Sequence, residues 1–217
     1  VDPARKESRE LLKTLESFYV NDVPLRIGFV FITSNQEEVN GLEHASTALF
    51  RAHNYIKEKT SSAPKALAFL TEVYAKSSNK NEDVSVDTVI SLFKKRYPKE
   101  KNLDDIFGPE SYYDEGRKLS MDYYNKVGLK ALPQVLINGF PIGENEIESD
   151  VFEESVITKI MQLTQEIQMA VYRGNLYDSM NLIDWLMNKE NIMPRLNPRI
   201  LSPERNYIHL NEKNAPM

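Results

Sequence analysis

The chain contains no cysteine. That absence excludes disulfides, thiol–disulfide exchange and thiolate metal sites. It leaves the compartment open, because a secretory domain can be cysteine-free. Histidine is scarce, with only His44, His53 and His209. Glycine is also sparse, at 8 residues in 217, and no phosphate-binding glycine loop occurs. Neither Gly-x-Ser-x-Gly nor His-Glu-x-x-His is present. No two aspartates stand one residue apart, so the Asp-x-Asp of many metal-dependent sugar-nucleotide transferases is missing. No asparagine is followed two places later by Ser or Thr, so nothing marks N-glycosylation. No stretch approaches the roughly 20 apolar residues that a membrane span needs. An excess of positive charge is lacking too. The formal net charge is −5, which argues against a nucleic-acid partner.

What is present is ordinary for a globular chain: 41% hydrophobic and 27% charged residues, enough to bury a core without staples. A length of 217 residues gives room for one large domain or two small ones. The chain starts Val1-Asp2-Pro3, without an initiator Met or a signal peptide, and reads as a piece of a larger protein.

Apolar spacing predicts a helix over 6–19, with Leu11, Leu12, Leu15, Phe18 and Tyr19 on one face. Leu25 to Ile32 is the strongest strand signal, a near-continuous apolar run of the kind found mid-sheet and covered on both faces. Helices are expected over 43–58, 64–76 and 85–97, with a short turn at Leu103–Phe107. Pro64 suits a first turn and Pro98 a stop. A further helix is expected over 111–127, closed by Gly128. Asn138-Gly139 between apolar runs signals a tight hairpin, and Pro141 places its second strand at a sheet edge. A long helix over 150–173 follows, lined by Val156, Ile160, Leu163, Ile167 and Val171. Asp178 is the expected cap of a last helix to about 188, with Ile183, Leu186 and Met187 on one side. From Pro194 the proline-interrupted tail is expected to be extended, with Ile200-Leu201 and Tyr207–Leu210 as strand candidates.

Few of these residues invite catalysis. His44 and His53 share a helix at nine-residue spacing, which puts them on opposite faces and rules out a shared metal. The run Glu144, Glu146, Glu148, Asp150, Glu153 and Glu154 reads as a favourable helix start with a solvated face. The basic cluster from Lys94 to Lys101 reads as a solvated helix end. More informative is the last third of the chain. Met161, Met169, Met180, Met187 and Met193 gather there with Tyr172 and the only tryptophan, Trp185. Thioethers adapt to varied partners and build permissive binding surfaces. Helical spacing alone prefers the plainer reading, that they fill the core of two helices.

The order helix, apolar strand, helical insert, helix, x-Pro, hairpin, helix resembles a thioredoxin-type fold with a helical insertion, as in DsbA-like domains. Ala131-Leu132-Pro133-Gln134-Val135-Leu136-Ile137-Asn138-Gly139 resembles the cis-proline strand and hairpin of that family. The resemblance implies an α/β class without redox cysteines and a cis bond at Leu132-Pro133. It also implies a first core strand lying largely before Val1. The family's redox junction falls on Asp2-Pro3-Ala4-Arg5, which carries no cysteine and no hydroxyl. Ser8 is the nearest hydroxyl, so a cysteine-free, glutathione-type transferase carries little weight.

Three further stretches narrow the resemblance: Val23-Pro24-Leu25-Arg26-Ile27-Gly28-Phe29-Val30-Phe31, Ala48 to Ile56, and Ala170-Val171-Tyr172-Arg173-Gly174. So does the run from Leu186 through Met193-Pro194 to Leu201. These look like the UDP-glucose:glycoprotein glucosyltransferase family of luminal folding sensors, and specifically the third of their tandem thioredoxin-like domains. The resemblance implies a thioredoxin-like core over 1–36 and 110–174 and a helical insertion over 37–109. A C-terminal helix over 175–193 and an extended tail or linker over 194–217 would follow. It implies the endoplasmic reticulum lumen, with UDP-glucose and a divalent cation used only by a separate transferase domain. Misfolded glycoproteins and neighbouring domains are the implied partners. Met161, Met169, Tyr172, Met180, Trp185 and Met187 are then the candidates for client contact. The competing expectation is a spacer that shapes a client cavity without touching clients.

Overall fold

A computed structural model describes residues 1–34, 36–77, 79, 81–127, 132–148, 150–189 and 192. The expected Gly128 cap, Met193, His209 and the tail from Pro194 lie outside the described residues.

The first helix, α1 (Glu7–Val20), buries Leu11, Leu12 and Phe18, with acidic Glu7 and Glu10 suiting the positive end of its dipole. Tyr19, expected on the same face, is exposed instead. It lies at the margin of the apolar stripe, where one residue of rotation moves a side chain into water.

Three helices form a tightly packed block: α2 (Ala45–Thr60), α3 (Ala63–Lys76) and α4 (Val86–Arg96). The Ser62 and Ser85 hydroxyls cap α3 and α4 by accepting from Lys65 N and Thr88 N. Lys94, Lys95 and Arg96 end α4, where cations complement the dipole. A short α5 (Asp104–Phe107) closes the block. Phe93 sits at its centre, with the rings of Tyr55, Phe69, Tyr97 and Phe107 at 5.2, 6.0, 5.0 and 4.9 Å. The same hydrophobic cluster continues without a break into Leu11, Leu12 and Phe31.

The helix expected over 111–127 is split. A 3-10 turn spans Tyr112–Asp114, and α6 (Arg117–Val127) starts only after Gly116, whose φ of +89° breaks the helix. Two minimal strands follow, β1 (Leu136–Ile137) and β2 (Phe140–Pro141), paired antiparallel with Ile137 opposite Phe140. Asn138 and Gly139 both take positive φ, at +49° and +86°, which the tight hairpin turn requires. The Leu132–Pro133 peptide bond is cis.

Helix α7 (Phe152–Tyr172) buries Phe152, Val156, Leu163 and Ala170. Val171, expected in that stripe, is exposed, because the last turn presents Ala170 inward. The last helix, α8 (Leu182–Met187), is shorter than the expected 178–188. Its cap is Asn181, not Asp178: the Asn181 side chain accepts from Ile183 N and Asp184 N. Only Leu186 of its expected inner face is buried; Ile183 and Met187 are exposed.

The largest correction concerns the sheet. Leu25 to Ile32 is extended but belongs to no strand ladder, and β1–β2 is the only sheet among the described residues. Its side chains alternate instead of being covered on both faces. Leu25, Ile27, Phe29 and Phe31 turn inward, while Arg26, Gly28 and Val30 face outward. The α/β expectation thus meets a mostly helical molecule with little sheet.

Candidate functional site

The Asp2–Arg5 junction holds a carboxylate, but a fully engaged one. Asp2 Oδ1 accepts from Ala4 N at 3.1 Å and Ser46 Oγ at 2.6 Å, and Arg5 Nε stands 3.5 Å from Oδ2. Tyr74 donates to Pro3 O at 2.7 Å, and burial raises its phenol well above the usual range. Ser8, the nearest hydroxyl, is buried on the inner face of α1 and offers nothing to solvent. The junction is therefore a packed helix start, with no nucleophile presented.

Cis-Pro133 and Leu132 line a groove of about 510 Å³ beside the first turns of α1, together with Glu7, Glu10 and Glu148. The other expected candidates are scattered. His44 is exposed, whereas His53 is buried edge-on against Phe31 at 5.1 Å, and burial lowers its pKa. His44 stands just before α2, at its N-cap, while His53 lies within the helix on its buried face. Glu146 turns back to accept from Gly143 N at 2.8 Å, a local capping role. Arg96 faces Glu72 at 3.8 Å. Among the described residues no group of His, Asp and Glu is placed to hold a metal, and no helix is long and apolar enough to cross a membrane.

The methionine-rich helices behave differently from core fillers. Met161, Met169 and Met187 are 59%, 47% and 43% exposed, and Tyr172 is 87% exposed. Met180 is exposed as well. Ile157, Tyr177 and Ile183 are exposed too. This corrects the preferred core reading: α7 and α8 have too few apolar neighbours to cover both their faces. Trp185 is the exception. It is half-buried beside a small cluster of Phe140, Leu163, Leu186 and Ile192. Lys189 Nζ lies 4.2 Å from its ring and 3.0 Å from Glu166 Oε2, which fixes the indole at the edge of the patch. Surface methionines on a rigid helix, with an aromatic rim, can adapt to varied apolar partners.

Sequence reasoning missed a buried charge cluster. Arg51 and Arg117 are both almost fully buried, and both bind Asp114: Arg51 Nη2 at 2.9 Å and Arg117 Nε at 2.8 Å. Arg51 Nη1 also donates to the Phe107 and Gly108 carbonyls. Arg117 donates to the carbonyls of Ser34, Gln36 and Glu37. The signal available was Arg51 standing inside the apolar stripe Ala48, Leu49, Ala52 and Tyr55. This cluster ties loops together through backbone carbonyls.

Comparison with known proteins gives consistent results. A family profile described as a thioredoxin-like domain matches residues 1–200. Human UDP-glucose:glycoprotein glucosyltransferase 1 is 38% identical over 214 residues, covering 99% of this chain. Human UDP-glucose:glycoprotein glucosyltransferase 2 is 37% identical over 97% of the chain, and the Drosophila melanogaster UDP-glucose:glycoprotein glucosyltransferase 36% over 97%. In each case the chain spans 14% of the relative's length. No solved structure matches it.

Proposed function

The chain belongs to the thioredoxin-like domain family, in the form carried within UDP-glucose:glycoprotein glucosyltransferases, and from that premise we propose that it is a non-catalytic domain that recognises exposed hydrophobic surface on misfolded glycoproteins in the endoplasmic reticulum lumen. The observation that carries this reading is the open apolar surface of α7 and α8, with Met161, Met169, Tyr172 and Met187 turned to solvent. A misfolded protein differs from its native form chiefly by apolar side chains in water, and a surface of thioethers and rings gains by covering them. The glucosyl transfer itself, with UDP-glucose and a divalent cation, belongs to a different part of the longer protein. We assign the chain to the third of the tandem domains on the strength of its resemblance. The division into a core of 1–36 and 110–174, an insertion of 37–109 and a C-terminal helix within 175–193 is part of the same reading.

The second reading is a spacer. Val171, Tyr177 and Ile183, also exposed, would then meet neighbouring domains, and the chain's small share of its relatives' length supplies those neighbours. One binding experiment separates the two. The 217-residue chain is titrated with one glycoprotein in native and misfolded form at low and high salt. Tighter, salt-insensitive binding to the misfolded form supports recognition. Equal or absent binding to both forms removes the recognition reading for this chain and leaves the spacer.

A further inference from the structure

A polar recess of about 510 Å³ lies between the end of Leu25–Ile32, the start of α2 and the loop that leads into α4. Asp2, Thr33, Glu43, Ser46, Thr47 and Asp83 stand in its walls. Those walls are pinned to one another. Val84 N donates to Ala4 O at 2.8 Å, Lys6 N to Asp83 Oδ1 at 3.0 Å, and Ser46 Oγ to Asp2 Oδ1 at 2.6 Å. The recess is thus formed before anything enters it, and its size suits a small molecule.

Two independent observations point to an occupant. Thr47 is 0% exposed, yet its hydroxyl has no hydrogen-bond partner among the described residues. Thr33 Oγ1, enclosed on a different segment of the same recess, has none either. A buried hydroxyl without a partner forfeits its bonds to water, and native folds rarely leave one so. The start of α2 supplies the second observation. No side chain caps it, and the N–H groups of Ala45, Ser46 and Thr47 meet no acceptor among the described residues.

The walls also select the chemistry. Peptide N–H groups only donate, so the occupant presents acceptors to α2. Ionised carboxylates only accept, so it presents donors to Asp2, Glu43 and Asp83. An anion suits a helix start but here meets three carboxylates. A cation leaves the N–H groups unpaired and faces the positive end of the dipole. A neutral group that both donates and accepts satisfies every wall, as the neighbouring hydroxyls of a sugar do. A peptide also donates and accepts, but its side chains need apolar cover, and only Ala4, Ala45, Val84 and Val86 offer it here. We propose that this recess binds a neutral carbohydrate, whose hydroxyls accept from the first N–H groups of α2, Thr33 and Thr47 and donate to the carboxylates. None of its residues belongs to α7 or α8, so the reading of that apolar surface is tested separately.

The experiment is a titration of the 217-residue chain with maltose, followed by backbone amide NMR. Saturable shifts are expected at Ala45, Ser46 and Thr47, with the amides of α7 and α8 unmoved. No saturable shift at the start of α2 overturns the site. Inorganic phosphate and acetamide, titrated in parallel, are the anionic and amide arms; either one binding there as tightly as maltose overturns the carbohydrate assignment. Thr47→Val removes the hydroxyl at nearly constant shape. It is expected to weaken maltose binding at least tenfold while the urea midpoint stays level or rises, since the hydroxyl has no partner within the fold to lose. Thr33→Val is expected to give the same pattern. Unchanged maltose binding in both variants overturns the proposal, whatever their stability.

Discussion

Around Phe93, rings from α2, α3, α4 and α5 close on one another, and Phe69, Phe93 and Phe107 are at most 3% exposed. Along α7 and α8, a similar density of apolar residues leaves Met161, Met169, Tyr172 and Ile183 with about half or more of their surface open. Both regions are helical and rich in large apolar residues; they differ in how many elements pack on each helix. Helix α2 is contacted by α3, α4, α5 and the Tyr112–Asp114 turn along its length, whereas α7 joins the main cluster only through its first turns, at Phe152, Val156 and Ile160, and beyond them buries Leu163 in a small cluster with Phe140, Leu186 and Ile192. Apolar side chains at one end are thus a source of stability, and at the other a surface available to a partner.

This contrast is sharpened most by removing Phe93. Phe93→Ala deletes a ring that touches four others and is expected to lower stability by about 4 kcal/mol in urea unfolding. Next in size, Asp114→Asn leaves Arg51 and Arg117 buried without their shared carboxylate, at an expected cost of about 3 kcal/mol. An unchanged midpoint for that variant would mean that backbone carbonyls alone hold the two guanidinium groups. Leu163→Ala, in the small cluster under α7, is expected at the low end for a buried leucine, about 2 kcal/mol, because a thin layer collapses more easily around the gap. Smallest of all, Met169→Ser combined with Tyr172→Ser is expected to move stability by less than about 0.5 kcal/mol. The same pair is expected to weaken binding to a misfolded glycoprotein at least tenfold. A large loss of stability in the pair would instead place those side chains inside a core and break the comparison.

Most helices were legible because their apolar spacing is regular. Ala48, Leu49, Ala52, Tyr55 and Ile56 are all buried as that spacing requires. The Asn138-Gly139 turn was legible because its two positive φ values demand those residue types. Pairing of Leu25–Ile32 was not, since a strand's ladder depends on a partner that its own residues do not encode. Boundaries failed where two residues compete for one role, as Asp178 and Asn181 do for the cap of α8. Exposure of Met161 and Met169 was hidden for a related reason. Periodicity says which residues share a face, but not how much protein covers it. Arg51 escaped notice because charge is ordinarily read as surface, while its burial depends on Asp114, 63 positions away.

The Arg117 guanidinium reaches back 80 to 83 positions to the carbonyls of Ser34, Gln36 and Glu37. The chain between them is a loop fastened at its neck. Closing a free loop of that length costs about 4 kcal/mol of chain entropy, so a bare clasp would form slowly. Helices α2 to α4 pack on near neighbours in sequence and shorten the free span before the clasp is made. Refolding should therefore begin with condensation around Phe93 and finish with the neck. Stopped-flow kinetics would register this as a φ value above about 0.5 for Phe93→Ala and near zero for Arg117→Met. The reverse order would make the neck the nucleus and the helical block its passenger.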